Sequence, residues 1–184
     1  MRLHHLARIT VIVRDLEAAI AQHHGAQLVH FNVLEARALS LGVPAISGAR
    51  AALMTHANAT LEWIEQPNAR ANAQAEEHLG WAGFEFEPNA LDVRLNCVDS
   101  AVSAAFYLGL GANNIQQIAA QTRVIQLNNS ALRFESGKST VPAMDLANLS
   151  VGILSVQLAR IGSRGQIGPT RVLRGSDAEL IELV

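Results

Sequence analysis

Arg8-Ile-Thr-Val-Ile-Val-Arg-Asp15-Leu-Glu-Ala-Ala-Ile20 is the stretch that decides the fold. Its first six residues are mostly β-branched and predict a strand. Asp15 then stands where a short side-chain oxygen caps a helix. Leu16, Ala19, Ile20 and His23 recur at helical spacing, and Gly25 supplies a stop. The same grammar returns at Asp92-Val-Arg-Leu-Asn-Cys-Val98, with Asp99 as cap, Val102, Ala105 and Phe106 as the apolar stripe and Gly109 as stop. Asp15 to Asp99 and Gly25 to Gly109 are both 84 positions apart. A strand, cap and helix that recur at one offset indicate a repeated supersecondary unit.

Two later stretches read as hairpins, each with small polar residues between apolar runs. Gly48-Ala-Arg-Ala-Ala-Leu-Met-Thr-His-Ala-Asn-Ala-Thr-Leu-Glu62 turns near Asn58. Gly168 to Glu182 turns at Gly175-Ser176-Asp177. Both run 14 positions from glycine to glutamate, but they lie 120 apart, so the second unit is expected to carry an insertion. Residues 1–66 are thus assigned to a first module and 91–184 to a second, with the insertion around 135–162. Residues 67–90 form a linker with a helical portion and an extra strand from Gly80 to Phe86, ended by Pro88. Val33 to Gly42 predicts a short helix, and Val151 to Val156 an added strand or a subunit interface.

Composition narrows the function classes. Of the 184 residues 49% are hydrophobic and 16% charged, enough apolar material for a sizeable core. A net charge of −2 gives no electrostatic support for nucleic acid or an anionic membrane surface. No apolar run approaches a membrane span of roughly 20 residues. Cys97 is the one cysteine; with no disulfide partner it suits a cytoplasmic setting, and its apolar surroundings read as a structural thiol. His-x-His, HExxH, Cys-x-x-Cys and Gly-x-Ser-x-Gly spacings are absent. Trp63 reads as core, and Trp81 as core or as cover for a pocket mouth.

Val13-Arg-Asp-Leu-Glu-Ala-Ala19 and the closing Arg171-Val-Leu-Arg-Gly-Ser-Asp-Ala-Glu-Leu-Ile-Glu-Leu-Val184 resemble the opening and the end of modules in the glyoxalase / bleomycin-resistance / extradiol-dioxygenase (vicinal oxygen chelate) superfamily, with Leu61-Glu-Trp-Ile-Glu65 as a weaker first-module version. The chain looks like a divergent member. The resemblance implies an α+β fold in which two βαβββ modules curl into a cup-shaped mixed sheet with helices outside. In metal-dependent relatives, ligands come from strand starts and strand ends of the modules. The matching positions here are Arg8, Asp92, Glu62 and Glu182. An arginine does not ligate metal, and three carboxylates without histidine would favour only a hard cation. An arginine–carboxylate cluster is the simpler outcome, so the reading takes no metal and no cofactor. His4 and His5 precede the expected ligand position by three or four residues, and only a bulge would bring one in.

Period-2 alternation gives the face independently. Ile9, Val11 and Val13 share one side of the first strand; Arg8, Thr10 and Ile12 share the other. Val93, Leu95 and Cys97 oppose Asp92, Arg94 and Asn96 in the same way. The polar sides predict a pocket lined by Arg8, Thr10, Asp92, Arg94 and Asn96, with Glu62 and Glu182 at its strand ends. The favoured function is metal-free binding of a small anionic or polar organic molecule, in the manner of the drug-sequestering members. One alternative is a lyase, isomerase or dioxygenase-type enzyme with Glu62 or Glu182 as base or divalent-metal ligand. Another is a degenerate module that serves protein–protein interaction only. The expected partners are a small-molecule ligand and a second copy of the chain as a homodimer, with no nucleic acid and no membrane.

Overall fold

The β-branched run ends a strand longer than it suggested. A computed structural model describes residues 2–23, 27–70, 79–137, 149, 152–161 and 170–184. His24, Gly25, His78, the segment 138–148 of the expected insertion and the glycine-bearing stretch 163–168 lie outside them. The first module comprises β1 (Arg2–Val13), α1 (Leu16–Ala21), β2 (Val29–Asn32), α2 (Glu35–Ser40), β3 (Arg50–His56) and β4 (Ala59–Glu65). Next come β5 (Gly80–Glu87), β6 (Ala90–Cys97), α3 (Ser100–Gly109), β7 (Ile115–Ala119), β8 (Thr122–Gln126) and β9 (Ser130–Ser136). The chain closes with β10 (Gly152–Ile161), β11 (Arg171–Arg174) and β12 (Leu180–Leu183). None of the described helices is long and apolar enough to cross a membrane.

The caps predicted from sequence are formed. Asp15 accepts from the Ala18 amide at 3.0 Å, and Asp99 from those of Ala101 and Val102 at 2.7 and 3.4 Å. The hairpin between β3 and β4 turns on Ala57 and Asn58, both in the left-handed region at φ 48° and 61°. Gly42, at φ 70°, stops the chain after α2 as its position predicted. Gly109 is instead the last residue of α3.

Among the described residues two sheets form, a seven-stranded one in the order β11-β12-β10-β1-β4-β3-β2 and a five-stranded one in the order β5-β6-β9-β8-β7. The segments β1-β4-β3-β2 and β6-β9-β8-β7 have one topology, with first and last strands parallel in each. The fold is therefore α+β, built on βαβββ modules in mixed, cup-like sheets. The closing hairpin is placed differently from its expected pairing. The second β-unit is completed by β9, while β12 lies parallel to β10, which itself pairs antiparallel with β1. Of the expected added strand, residues 152–156 begin β10, a central strand of the first sheet.

The apolar faces pack as alternation required. Ile9, Val11, Leu61 and Trp63 share one core with Val93, Leu95 and Cys97 of the other sheet and with Leu16 and Ile20 of α1. Trp81 lies in this core and donates through Nε1 to the Leu180 carbonyl at 2.9 Å, tying the sheets together. A second, smaller core forms on the opposite face of the first sheet. There Ile12, Ile64 and Leu154 are covered by Val33, Ala38, Leu41, Val43 and Ile46, so α2 lies across the face on which Thr10 stands rather than with the outer helices. Apolar residues on the intended polar face made that cover necessary.

The turn between β11 and β12 is anchored on α3 by buried acids. Ser103 donates to Asp177 Oδ2 at 2.5 Å and Tyr107 to Glu179 Oε1 at 3.0 Å. The Asp177 amide donates to Glu179 Oε2 at 2.9 Å. A Cβ at Gly175 would stand 1.9 Å from Glu179 Oε1, so any larger residue there would have to displace that carboxylate. Burial pushes the Glu179 carboxyl up to about 7. Burial, and then the charge of Glu179, lifts the Tyr107 phenol well above its ordinary range. Cys97 is fully buried and its thiol is pushed by burial up to about 11, as a structural cysteine requires.

Candidate functional site

Thr10 fixes the centre of the first sheet. It is opposite Glu62 across the parallel β1/β4 pair and opposite Ser155 across the antiparallel β1/β10 pair. Gln157 is opposite Glu182 across the β10/β12 pair. The register shift that leaves Leu154 between Ser155 and Ile153 sends Leu154 to the small core. Two hydroxyl–carboxylate pairs result: Thr10 Oγ1 donates to Glu62 Oε2 at 2.7 Å, and Ser155 Oγ donates to Glu182 Oε1 at 2.7 Å. Thr10, Glu62, Ser155 and Glu182 are all buried.

The charge that balances the two acids comes from α2. Arg37 Nη1 donates to Glu182 Oε2. Its Nη2 reaches Glu62 Oε2 at 2.8 Å, Thr10 Oγ1 at 3.0 Å and Glu182 Oε1 at 3.0 Å. The planar guanidinium is the side chain best shaped to bridge two carboxylates. Burial works against the Arg37 charge, but the hydrogen bond to Glu182 and the charges of Glu62 and Glu182 outweigh it, so its affinity for its proton rises further. Arg8 adds a looser ion pair, its Nη1 3.6 Å from Glu62 Oε2. Nε of Arg37 and Nε of Arg8 have no hydrogen-bond partner among the described residues. The expected arginine–carboxylate cluster therefore exists, with Arg37 rather than Arg8 at its centre.

The metal implied by the resemblance does not fit this donor set. Glu62 and Glu182 are the two carboxylates that meet here, and an arginine already bridges them. Among the described residues no group of three or more His, Cys, Asp or Glu side chains could hold a metal ion. β1 does shift register between Leu3 and His5 and between Leu6 and Arg8. Neither histidine reaches the carboxylates: His4 contacts its neighbour His5 at 3.1 Å and Asn128 at 2.8 Å.

Asp92, Arg94 and Asn96 come together elsewhere, on the five-stranded sheet, and this corrects the single pocket. By topology the partner of Thr10 and Glu62 in that sheet is the pair Arg94 and Arg133, directly opposite each other on β6 and β9. Their face borders a cavity of about 220 Å³ lined by Gly83, Glu85, Asp92, Arg94, Arg133 and Glu135, among others. Asp92 Oδ1 accepts from the Ala131 amide at 3.2 Å. Asn96 is fully buried. Sequence reading missed Arg37, Ser155 and Arg133. Arg37 did leave a signal, as the one cation among Ala36, Ala38 and Leu39 on the short helix expected from Val33 to Gly42.

No family model matches the chain, and no curated protein matches it. Solved structures do. A Bacillus subtilis subsp. subtilis str. 168 protein, provisionally named a dioxygenase, is similar over 100% of this chain and 62% of its own, at 8% identity and a TM-score of 0.35. The chain thus spans about three-fifths of that protein's length. A variant of Streptomyces coelicolor methylmalonyl-CoA epimerase, in complex with 2-nitronate-propionyl-CoA, is similar over 73% of this chain and 99% of its own, at 13% identity and a TM-score of 0.26. A hypothetical protein from Bacillus halodurans C-125 is similar over 73% and 95%, at 12% identity and the same TM-score of 0.26. None of these likenesses bears on the site.

Proposed function

We propose that the chain is a glyoxalase-like protein that binds a small polar organic molecule without a metal, in the hollow of its five-stranded sheet. One observation carries the reading: the Arg37 guanidinium lies on both Glu62 and Glu182, where a metal-dependent relative would hold its cation. Those carboxylates are buried and already hold hydroxyl and guanidinium donors, which supports a structural role over that of a base meeting substrate. Space for a ligand is found instead beside Asp92, Arg94 and Arg133. Few convergent charged groups around a small hollow are the usual form of a specific site.

Calorimetric titration with a library of small polar metabolites tests this. Binding is expected to disappear in Arg94→Ala and to survive in Glu62→Gln. Binding abolished by Glu62→Gln in a folded variant, but indifferent to Arg94→Ala, would move the ligand to the first sheet and overturn the proposal. So would stoichiometric divalent metal in the purified protein that is lost on replacing Glu62.

A further inference from the structure

We infer that His4 and His5 form a binding site for a borderline divalent transition-metal ion, of the class of Zn²⁺ or Cu²⁺, held by the Nδ1 atoms of both rings. The site goes beyond the ligand-binding reading above and does not depend on it. Successive residues of a regular strand point to opposite faces, so neighbouring histidines there cannot share an ion. β1 is irregular at this point. Leu3 is opposite Arg160 and His5 is opposite Ala159, which leaves His4 as an extra residue with no partner across β10. The bulge brings the two rings together, with their Nδ1 atoms 3.1 Å apart. An ion at the usual metal–imidazole length of about 2.0–2.1 Å from each would see the two nitrogens roughly 95–102° apart. That angle lies between the square-planar and tetrahedral values. The pair is also distinct from the carboxylate cluster. His5 is opposite Ala159 and Thr10 is opposite Ser155, four residues away along β10, or about 13 Å at about 3.3 Å per residue.

Asn128 supplies the outer hydrogen bond that a ligating histidine needs. Its backbone amide donates to the His4 carbonyl at 3.0 Å, which fixes the residue beside the ring. Its side-chain Nδ2 donates to His4 Nε2 at 2.8 Å. That bond places the proton of neutral His4 on Nδ1, from which it is donated to His5 Nδ1. Among the described residues the His5 ring and the Asn128 side chain have no other hydrogen bond. Metal binding therefore needs one local change. The His4 proton passes from Nδ1 to Nε2, and the Asn128 amide turns over so that its Oδ1 accepts from that nitrogen. His5 Nδ1 already offers a lone pair, so no proton is released. Two imidazoles leave two positions of a tetrahedral ion to water, as in an open site. Imidazole nitrogen also favours Zn²⁺, Ni²⁺ and Cu²⁺ over Mg²⁺ and Ca²⁺, which take oxygen.

Titration of the full chain with Zn²⁺, followed by calorimetry and by imidazole nitrogen NMR, tests the inference. The Nδ1 signals of His4 and His5 are expected to move together, while those of His30 and His56 stay in place. Cu²⁺ should bind more tightly than Zn²⁺ and show nitrogen couplings from both rings in its electron paramagnetic resonance spectrum. Mg²⁺ should not compete. His4→Gln and His5→Gln should each abolish the site, and Asn128→Ala should weaken it roughly 10–100-fold. Glu62→Gln should leave it unchanged, which separates this ion from one held at the carboxylates. Zn²⁺ that moves neither Nδ1 signal in the unaltered protein would overturn the inference. So would binding that survives His4→Gln, or binding lost in His56→Gln alone. None of these results touches the ligand-binding reading, which the metabolite titration decides.

Discussion

Arg37 concentrates more consequence in one side chain than any other residue of the first sheet. A buried ion pair is often no better than a well-packed apolar substitute, yet removing one partner leaves an uncompensated buried charge. Arg37→Met would leave Glu182 without a cation and Glu62 with only the looser Arg8 pair. Urea denaturation at neutral pH should show a loss of about 3–5 kcal/mol. The triple replacement Arg37→Met, Glu62→Gln, Glu182→Gln should regain most of it, and an equal deficit in both variants would refute the role of charge. Glu179 makes an opposite statement about pH. Its carboxyl is raised from 4.5 to about 7, so the neutral acid is the form that folding favours. Its contribution is complete below pH 4.5 and is lost as pH rises through about 7, a change of about 3 kcal/mol. The difference in unfolding free energy between the protein and Glu179→Gln should therefore vary across that window and level off on either side.

At the scale of elements, α2 is the piece on which the site depends. It has six residues, too few to be stable alone, and its N-cap Leu34 offers no side-chain hydrogen bond. The helix is held by Ala38 beneath it and by Arg37 at the carboxylates. Leu34 is exposed, so Leu34→Asp should supply the missing cap and an anion at the helix start. A gain of about 1 kcal/mol in denaturant melts is expected, and no gain would mean the first turn is held otherwise. Most such elements were legible. Asp15, Asp99, Gly42 and the turn at Asn58 marked their boundaries because capping and positive φ are local demands. The strands β7, β8 and β9 were not recognised: Gln116, Gln117, Thr122 and Arg123 interrupt the alternation, and β7 is largely exposed at the sheet edge.

Across the whole molecule, one core joins both sheets, and a few polar contacts fix their approach. Asn129 is the clearest. It accepts from the Leu6 amide at 2.9 Å and donates to the carbonyls of Leu6 and Ala57 at 2.9 and 3.0 Å, where β1 bulges. Asn129→Ala would leave those buried groups without partners, at a cost of about 2–3 kcal/mol. Calorimetry should still record one transition, at a lower Tm; two separated transitions would show that the sheets unfold independently.

The sequence by itself determined the α+β character, the module opening used twice, the helix caps and the face on which each polar residue lies. These follow from propensity, capping and the two-residue period, which act over a few neighbours. The tertiary structure alone decided which polar faces meet. It kept Glu182 with Glu62, moved Asp92 away to the cavity that Arg133 also lines, and brought in Arg37 from α2. Strand pairing between distant segments depends on how all the apolar surfaces are buried together, and no local pattern records that choice.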